Sequence, residues 1–408
     1  MKPDNPKLKL GLMANRVQFT ILVIVNAFVG AMVGMERSIF PEFALSTFGI
    51  KENTAVLSFI IAFGISKAFA NFFTGNLIQV FGRKPILVFG WIMALPVPFL
   101  LLLADKWSWI IIANILLGIS QGLTWSCTVI MKIDLVGSKD RGLAMGINEF
   151  AGYLSIGIMA LFSGWLVDYY DSVQPVFYFG IGVAVLGLFL SIIWVRDTSL
   201  FVEHEVISSQ NQVINLNGTF WDTTFRHKAL SSITQAGMIN NFNDGMLWGM
   251  LPVILMSLFF DATDIGQLVA VYPIIWGVGQ LFTGKLGDIY SKKTILIIGM
   301  LLQGIAIMIL PKGNFYWHFF LIAFFIGLGT ALVYPNFLAA AAEHASIRQR
   351  AEIIGFFRFW RDMGYAIGAL FSGIIADSLG VNYAFYFVGI LTVVSGFIIL
   401  FRMPEKAS

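Results

Sequence analysis

The amino-acid sequence predicts an all-α membrane protein: twelve transmembrane helices in two pseudo-symmetric six-helix bundles. Three observations carry that expectation. Apolar residues fill 58% of the 408 positions and charged residues only 12%, against about 25% charged in soluble domains. Twelve stretches reach the roughly 20 mostly apolar residues that a helix needs to cross the hydrocarbon core. Short identical segments also recur at one fixed offset, 209 residues, between the two halves of the chain.

The elements follow in order. Residues 1–16 are polar with four basic side chains, and the apolar run that begins at Val17 continues past Ala31 without a small-residue cleavage site. It reads as a retained first helix, 17–40, and not as a leader. Next come 54–74, which carries Lys67, then 86–104, which stops before Asp105 and Lys106, and 108–131. The fifth, 142–167, ends at Asp168 and the sixth, 175–195, at Arg196. Helices are the only open-ended way to satisfy backbone groups in lipid. Residues 196–228 are polar, with Glu203, His204, Glu205 and Gln210 among them, and read as a cytoplasmic linker. Six further spans follow at 229–258, 264–283, 294–310, 317–341, 352–375 and 383–401. The expected domains are therefore 1–195 and 229–408, joined by that linker.

Orientation comes from charge placement. With both termini in the cytoplasm, 19 of the 26 Lys and Arg residues lie on the cytoplasmic side, 4 lie outside, and Lys67, Arg358 and Arg361 fall within spans. The positive-inside bias thus predicts a multi-pass protein of a bacterial inner membrane with both termini cytoplasmic.

The repeat is specific. ALFSG stands at 160–164 and again at 369–373; Phe73-Thr74-Gly75 matches Phe282-Thr283-Gly284, Gly118 matches Gly327, Gly146 matches Gly355 and Asp168 matches Asp377. A shared register across several helices predicts a duplicated six-helix unit, an architecture of transporters whose substrate sits between the halves near the midplane.

Other classes lack their signatures. Cys127 is the single cysteine, so no disulfide framework arises. The four histidines form no His-Glu-x-x-His pair, and no phosphate-binding loop is found. No enzymatic activity, metal, cofactor or nucleic-acid partner is expected, and the chain is expected to act as a monomer in the lipid bilayer.

Two loops carry the clearest motif. After the second span the sequence reads Gly75-Asn-Leu77-Ile-Gln79-Val-Phe-Gly82-Arg83-Lys84, and after the eighth Gly284-Lys-Leu286-Gly-Asp288-Ile-Tyr-Ser291-Lys292-Lys293. This pattern resembles the G-x-L-x-D-x-x-G-R-K signature of the major facilitator superfamily (MFS), and the resemblance covers essentially the whole chain. Gln79 and Ser291 depart from it. Glycines allow a tight turn and close helix approach, while fixed charges latch neighbouring helix ends. The resemblance implies a cytoplasmic gate built from Gly75, Gly82, Arg83, Lys84, Gly284, Asp288 and Lys292. Asp134 precedes Arg141 by seven residues and Glu343 precedes Arg350 by seven. These pairs resemble the acid and arginine that flank the cytoplasmic loops of sugar-porter members, where they would exchange partners as the halves rock. A static interfacial salt bridge is the alternative.

Charges at bilayer depth are costly and ask for a partner or a wet cavity. Lys67, Glu149, Asp244, Arg358, Arg361 and Asp362 qualify, and three positives against three negatives also allow a closed structural network. Arg358 and Asp362 are spaced to pair along one helix. That leaves Arg361 and Lys67 to face a cavity, since the resemblance makes helices 2 and 11 neighbours between the halves. Glu149 and Asp244, with Asp362, are the candidates for proton coupling. Glu36 and Arg37 read as an interfacial pair near the outer surface. Helix 4 places Asn114, Gln121, Trp125 and Thr128 on one stripe, and helix 7 clusters Asn240, Asn241 and Asp244. Asn26, Tyr334 and Asn336 complete the candidate lining, although amides also bond between helices without any ligand. The expected function is secondary active transport by alternating access of a small polar organic solute, anions included, with protons as the coupling ion. Efflux of drugs or metabolites is the alternative within transport, and a non-transporting sensor or scaffold the alternative outside it.

Overall fold

The computed structural model describes residues 9–136, 141–201, 219–344 and 350–404. Most of the linker expected at 196–228 lies outside them. Twelve long helices dominate the described residues, numbered here α1 Arg16–Arg37, α2 Ser58–Phe81, α3 Arg83–Leu102, α4 Trp107–Val136, α5 Arg141–Tyr170 and α6 Gln174–Ile193. The second six are α7 Lys228–Ser257, α8 Ala262–Ile289, α9 Lys292–Ile309, α10 Tyr316–Glu343, α11 Arg350–Leu379 and α12 Val381–Arg402. A short helix, Phe40–Phe48, and a single turn, Asn53–Val56, join α1 to α2. Pro96 interrupts α3 after Leu95, because proline has no N–H for the preceding turn.

Ten of the twelve are long and apolar enough to cross a membrane by length and composition. The other two, α7 and α11, hold the amides and charges singled out above, and they pack against each other along their lengths. Polar residues there are turned toward protein rather than lipid: Asn240, Asn241, Asn243, Asp244, Arg361 and Asp362 are all buried.

Each packing pair recurs six helices later. The pairs α1 with α5, α2 with α4 and α3 with α6 in the first bundle return as α7 with α11, α8 with α10 and α9 with α12 in the second. Between bundles, α5 packs on α8 and α2 on α11. The repeated ALFSG explains part of this contact. A Cβ on Gly164 would fall onto the carbonyl oxygen of Ala262, and one on Gly373 would stand 2.7 Å from Cα of Thr54. Both glycines therefore bring backbones from opposite bundles together at the face away from the termini, the distal face. Thr263 Oγ1 donates to Asp168 Oδ2 there (2.8 Å), and Asp377 accepts from the N–H of Asn53 (2.6 Å), its Nδ2 (2.9 Å) and the N–H of Thr54 (2.9 Å). At the opposite, terminal face, the four repeat-related glycines Gly75, Gly146, Gly284 and Gly355 have nothing within 4 Å of where a Cβ would sit. The distal face is thus latched shut while these four positions stand in open space.

Two span ends differ from expectation. Helix α4 runs five residues beyond the expected 131, to Val136, which draws Lys132 into the bundle, fully buried. Glu36 and Arg37 are fully buried as well, not surface residues. Phe59 and Phe63 of α2 and Trp248 of α7 enclose the Arg37 guanidinium.

Candidate functional site

The seam between α2 and α11 carries the central charges. Lys67 Nζ stands 3.3 Å from Asp362 Oδ1, with their side chains 8% and 0% exposed. Asn71 Nδ2 also donates to Asp362, and Arg361 Nη1 lies 3.9 Å from it. The expected pairing of Arg358 with Asp362 is not formed. Asp362 turns across the seam to α2, and Arg358 Nη1 donates instead to Ser126 Oγ on α4 at 3.4 Å. Nor does Lys67 remain unpaired, as that pairing had implied, because a carboxylate in a dry seam takes the nearest cation from either bundle.

Arg361 is the less neutralised cation. Its guanidinium lies over the ring of Tyr334 (4.1 Å) and near Trp276 (5.9 Å), and Nη2 donates to Tyr153 Oη at 3.0 Å. Tyr153 stacks on Trp276 with centroids 3.5 Å apart, and Trp125 meets Tyr153 edge-on at 5.2 Å. Trp125 Nε1 in turn donates to Glu149 Oε1 at 2.9 Å. Arg361 Nε and Glu149 Oε2 have no protein hydrogen-bond partner. Five helices, α4, α5, α8, α10 and α11, thus converge on one aromatic cage that contains a cation and has an acid at its edge.

Sequence reasoning missed Tyr153 and Trp276. Both were visible as large polar-tipped aromatics in mid-span: Tyr153 stands four residues after Glu149, and Trp276 four after Tyr272. On α7, Asp244 accepts from Tyr272 Oη of α8, whereas Asn240 and Asn241 have no protein partner for either side-chain polar atom. Gln121 Oε1 and Asn114 Oδ1 are likewise buried without one. Asn26 belongs to a closed network. Its Nδ2 donates to the Asn148 carbonyl (2.7 Å), its Oδ1 accepts from Thr128 (2.9 Å), and Lys132 Nζ donates to Asn148 Oδ1. Lys132 extends the Asn114-to-Thr128 stripe by four residues, so the same spacing pointed to it. Asn336 serves helix packing, donating to the carbonyls of Leu332 (2.8 Å) and Thr283 (3.4 Å).

The family model described as Major Facilitator Superfamily matches residues 22–227 and 233–408. The chain belongs to the major facilitator superfamily. Among relatives, the proton-coupled antiporter flippase LtaA of Staphylococcus aureus is 25% identical over 392 residues, 93% of each chain. An MFS-type transporter of Methanocaldococcus jannaschii is 25% identical over 164 residues, 40% of this chain and 42% of that one. Solved structures agree in fold. The human organic anion transporter MFSD10 superposes with a TM-score of 0.71 at 14% identity, covering 94% of this chain and 99% of that one. A POT family transporter in complex with 5-aminolevulinic acid gives 0.73 at 13% identity, with 94% and 95% covered. This chain is accordingly a multi-pass membrane transporter of that superfamily.

The superfamily's signature loop has a local physical meaning in this member. Gly82 adopts φ +88°, which only glycine takes readily. The turn aims Arg83 at Asp134 of α4 (3.2 Å), while the N–H of Lys84 donates to Asp197 Oδ2 (2.9 Å) and its Nζ to the Ile192 carbonyl (2.7 Å). Burial pushes the Asp197 carboxyl up, but hydrogen bonds from Ser199 and the Lys84 N–H outweigh it and hold the group below the usual aspartate range. In the second bundle Lys292 meets Glu343 at 2.8 Å. Both members of this pair stand 209 residues after Arg83 and Asp134. Each loop is thereby tied to α4 or α10 of its own bundle. The side chains of Asp288, Arg141 and Arg350 lie outside the described residues. Asp134 is buried whereas the Lys292–Glu343 pair is partly exposed, so Lys292→Ala is expected to cost at most about 1 kcal/mol of stability and Arg83→Ala more. Thermal unfolding of the purified variants checks this, and a loss several times larger in Lys292→Ala would make that pair a structural pillar rather than a latch.

Proposed function

We propose that this transporter moves a small polar organic solute carrying an anionic group, by proton-coupled alternating access. The carrying observation is Arg361: a buried guanidinium in a cage of Tyr153, Trp276 and Tyr334, on the seam between bundles, with a carboxylate no nearer than 3.9 Å that is itself closer to Lys67. A planar fork in a dry aromatic cage suits a carboxylate or phosphate. In this reading residues 1–195 and 229–408 rock as two bodies, with both termini cytoplasmic, so the latched distal face is the outer one. Asn240, Asn241, Gln121 and Asn114, buried with unsatisfied side-chain atoms, supply the polar lining. Glu149, Asp244 and Asp362 border that seam and are the groups through which a proton would be exchanged for substrate. The relative LtaA is a proton-coupled antiporter, which supports coupling to protons here.

LtaA is also a flippase, which favours a second reading in which the anionic group belongs to a lipid. Both readings are tested together. A thermal-stabilisation screen of purified protein against organic acids and phosphate esters selects ligands, and flux into proteoliposomes is then measured with and without a pH gradient. Flux is expected to fall when the gradient is collapsed, and Arg361→Ala to weaken ligand binding by about tenfold or more. Unchanged flux removes proton coupling. Binding retained in Arg361→Ala and Lys67→Ala removes anion selection.

A further inference from the structure

A second buried guanidinium lies beyond the Arg361 cage, and nothing described so far employs it. Arg37, at the end of α1, is fully buried, and none of its Nε, Nη1 and Nη2 atoms has a protein hydrogen-bond partner. Three rings face it instead: Trp248 at 4.5 Å, Phe63 at 4.7 Å and Phe59 at 5.6 Å. Glu36, the adjacent acid, is also fully buried, facing Arg37 electrostatically and approached by the side chain of Asn114. Burying a guanidinium without a single hydrogen-bond acceptor is costly, and the nearby charges of Glu36 and Asp244 together with the aromatic faces offset only part of that cost. An arrangement of this kind is understandable where an anionic group supplies the missing acceptors during part of the cycle.

Its position supports that role. Phe63 lies beneath both Arg37 and Lys67, the latter at 5.7 Å, while Tyr365 faces Lys67 at 4.6 Å and packs on Trp248 at 5.3 Å. The cations therefore form a track along α2 and α11: Arg358 toward the terminal face, then Arg361 beside Lys67, then Arg37 toward the distal face. Asp362 neutralises Lys67 in the middle, and among the described residues Arg361 and Arg37 are the buried guanidiniums with donors that have no protein acceptor. Arg37, Phe59 and Phe63 belong to the first bundle and Trp248 to the second. Parting the distal latches at Asp168 and Asp377 would consequently uncover Arg37 before the Arg361 cage deeper in the seam.

We propose that Arg37 is a second anion-binding station on the distal side of the Lys67–Asp362 pair, occupied by a carboxylate or phosphate group when the distal face opens. This rests on the anion reading of the Arg361 cage. Protein in phosphatidylcholine nanodiscs is titrated with inorganic phosphate and with glutarate, and a second arm replaces part of the lipid with phosphatidylglycerol. The unfolding midpoint is the readout. Each measurement is made with distal latches intact and with latches released by Asp168→Ala plus Asp377→Ala. In the released background, Glu36→Gln with Arg37→Met, which removes both charges together, is expected to raise the half-effective anion concentration about tenfold or more. With latches intact the same pair should leave it within about twofold, whereas Arg361→Met raises it. If the neutral pair does not fold, Arg37→Lys, which retains the charge but loses the fork, carries the comparison with a smaller shift in the same direction. A response to phosphate or glutarate marks a soluble anion, and a response to phosphatidylglycerol alone marks a lipid headgroup. Equal affinity in parent and Arg37 variants in the released background overturns the station while leaving the Arg361 site intact. A parent protein unmoved by all three probes overturns the anion reading and the station with it.

Discussion

Asp362→Ala is expected to destabilise the protein more than any other single substitution at the seam, by about 3–5 kcal/mol, because it strands Lys67 as an unpaired buried cation. The magnitude follows from burial: the two side chains are 8% and 0% exposed and meet at 3.3 Å. Asn71 would lose its acceptor at the same time. Removing both charges should behave differently. Lys67→Met combined with Asp362→Leu replaces the pair with apolar volume, and such exchanges are often neutral or stabilising. The expected pattern is a large fall in the unfolding midpoint for Asp362→Ala and near-parental stability for the double variant, with transport lost in both. If the double variant is as unstable as the single one, packing and not charge compensation holds this part of the seam.

Gly164→Val should leave the bundles folded but disfavour the distally closed state. Its new side chain would run into the Ala262 carbonyl and Gly266 across the interface, and overpacking of this kind costs about 1–3 kcal/mol. Since only the closed state contains that contact, the penalty shifts the population rather than the fold, by about one to two powers of ten if the states lie within a few kcal/mol. Gly373→Val should act the same way against Thr54. Gly30 provides the contrast, because its Cβ would strike the Gly152 backbone within the first bundle. Gly30→Val is therefore expected to lower stability without opening anything. The check is maleimide labelling of Thr54→Cys, applied from the distal side: faster labelling with Gly164→Val than with Gly30→Val. Equal rates would mean that the distal contact does not govern access.

The sequence made the architecture legible because lipid imposes strong rules. Span length and the 209-residue offset each constrain the fold independently, and the packing pairs recur accordingly. The repeated ALFSG was visible as a repeat, though its role in joining the bundles at Gly164 and Gly373 emerged only from the contacts. The site was less legible. Spacing along α11 suggested an Arg358–Asp362 pair, but a helix rotated against a neighbour offers partners that spacing along one chain does not reveal, and Asp362 found Lys67. Arg37 and Lys132 were misplaced for a related reason: a charge near a span end looks exposed until neighbouring helices or a longer helix enclose it. Asn336 resembled a lining residue by composition alone, whereas its amide ties α10 to α8.

The sole thiol, Cys127, is wholly enclosed, so reagents that seek sulfur should pass the native chain by, and new cysteines need no cysteine-free background. Gly146 and Gly355, with empty space beside their α-carbons, are ready anchor points for spectroscopic probes. A probe on each would report the distance between the two bundles at the terminal face.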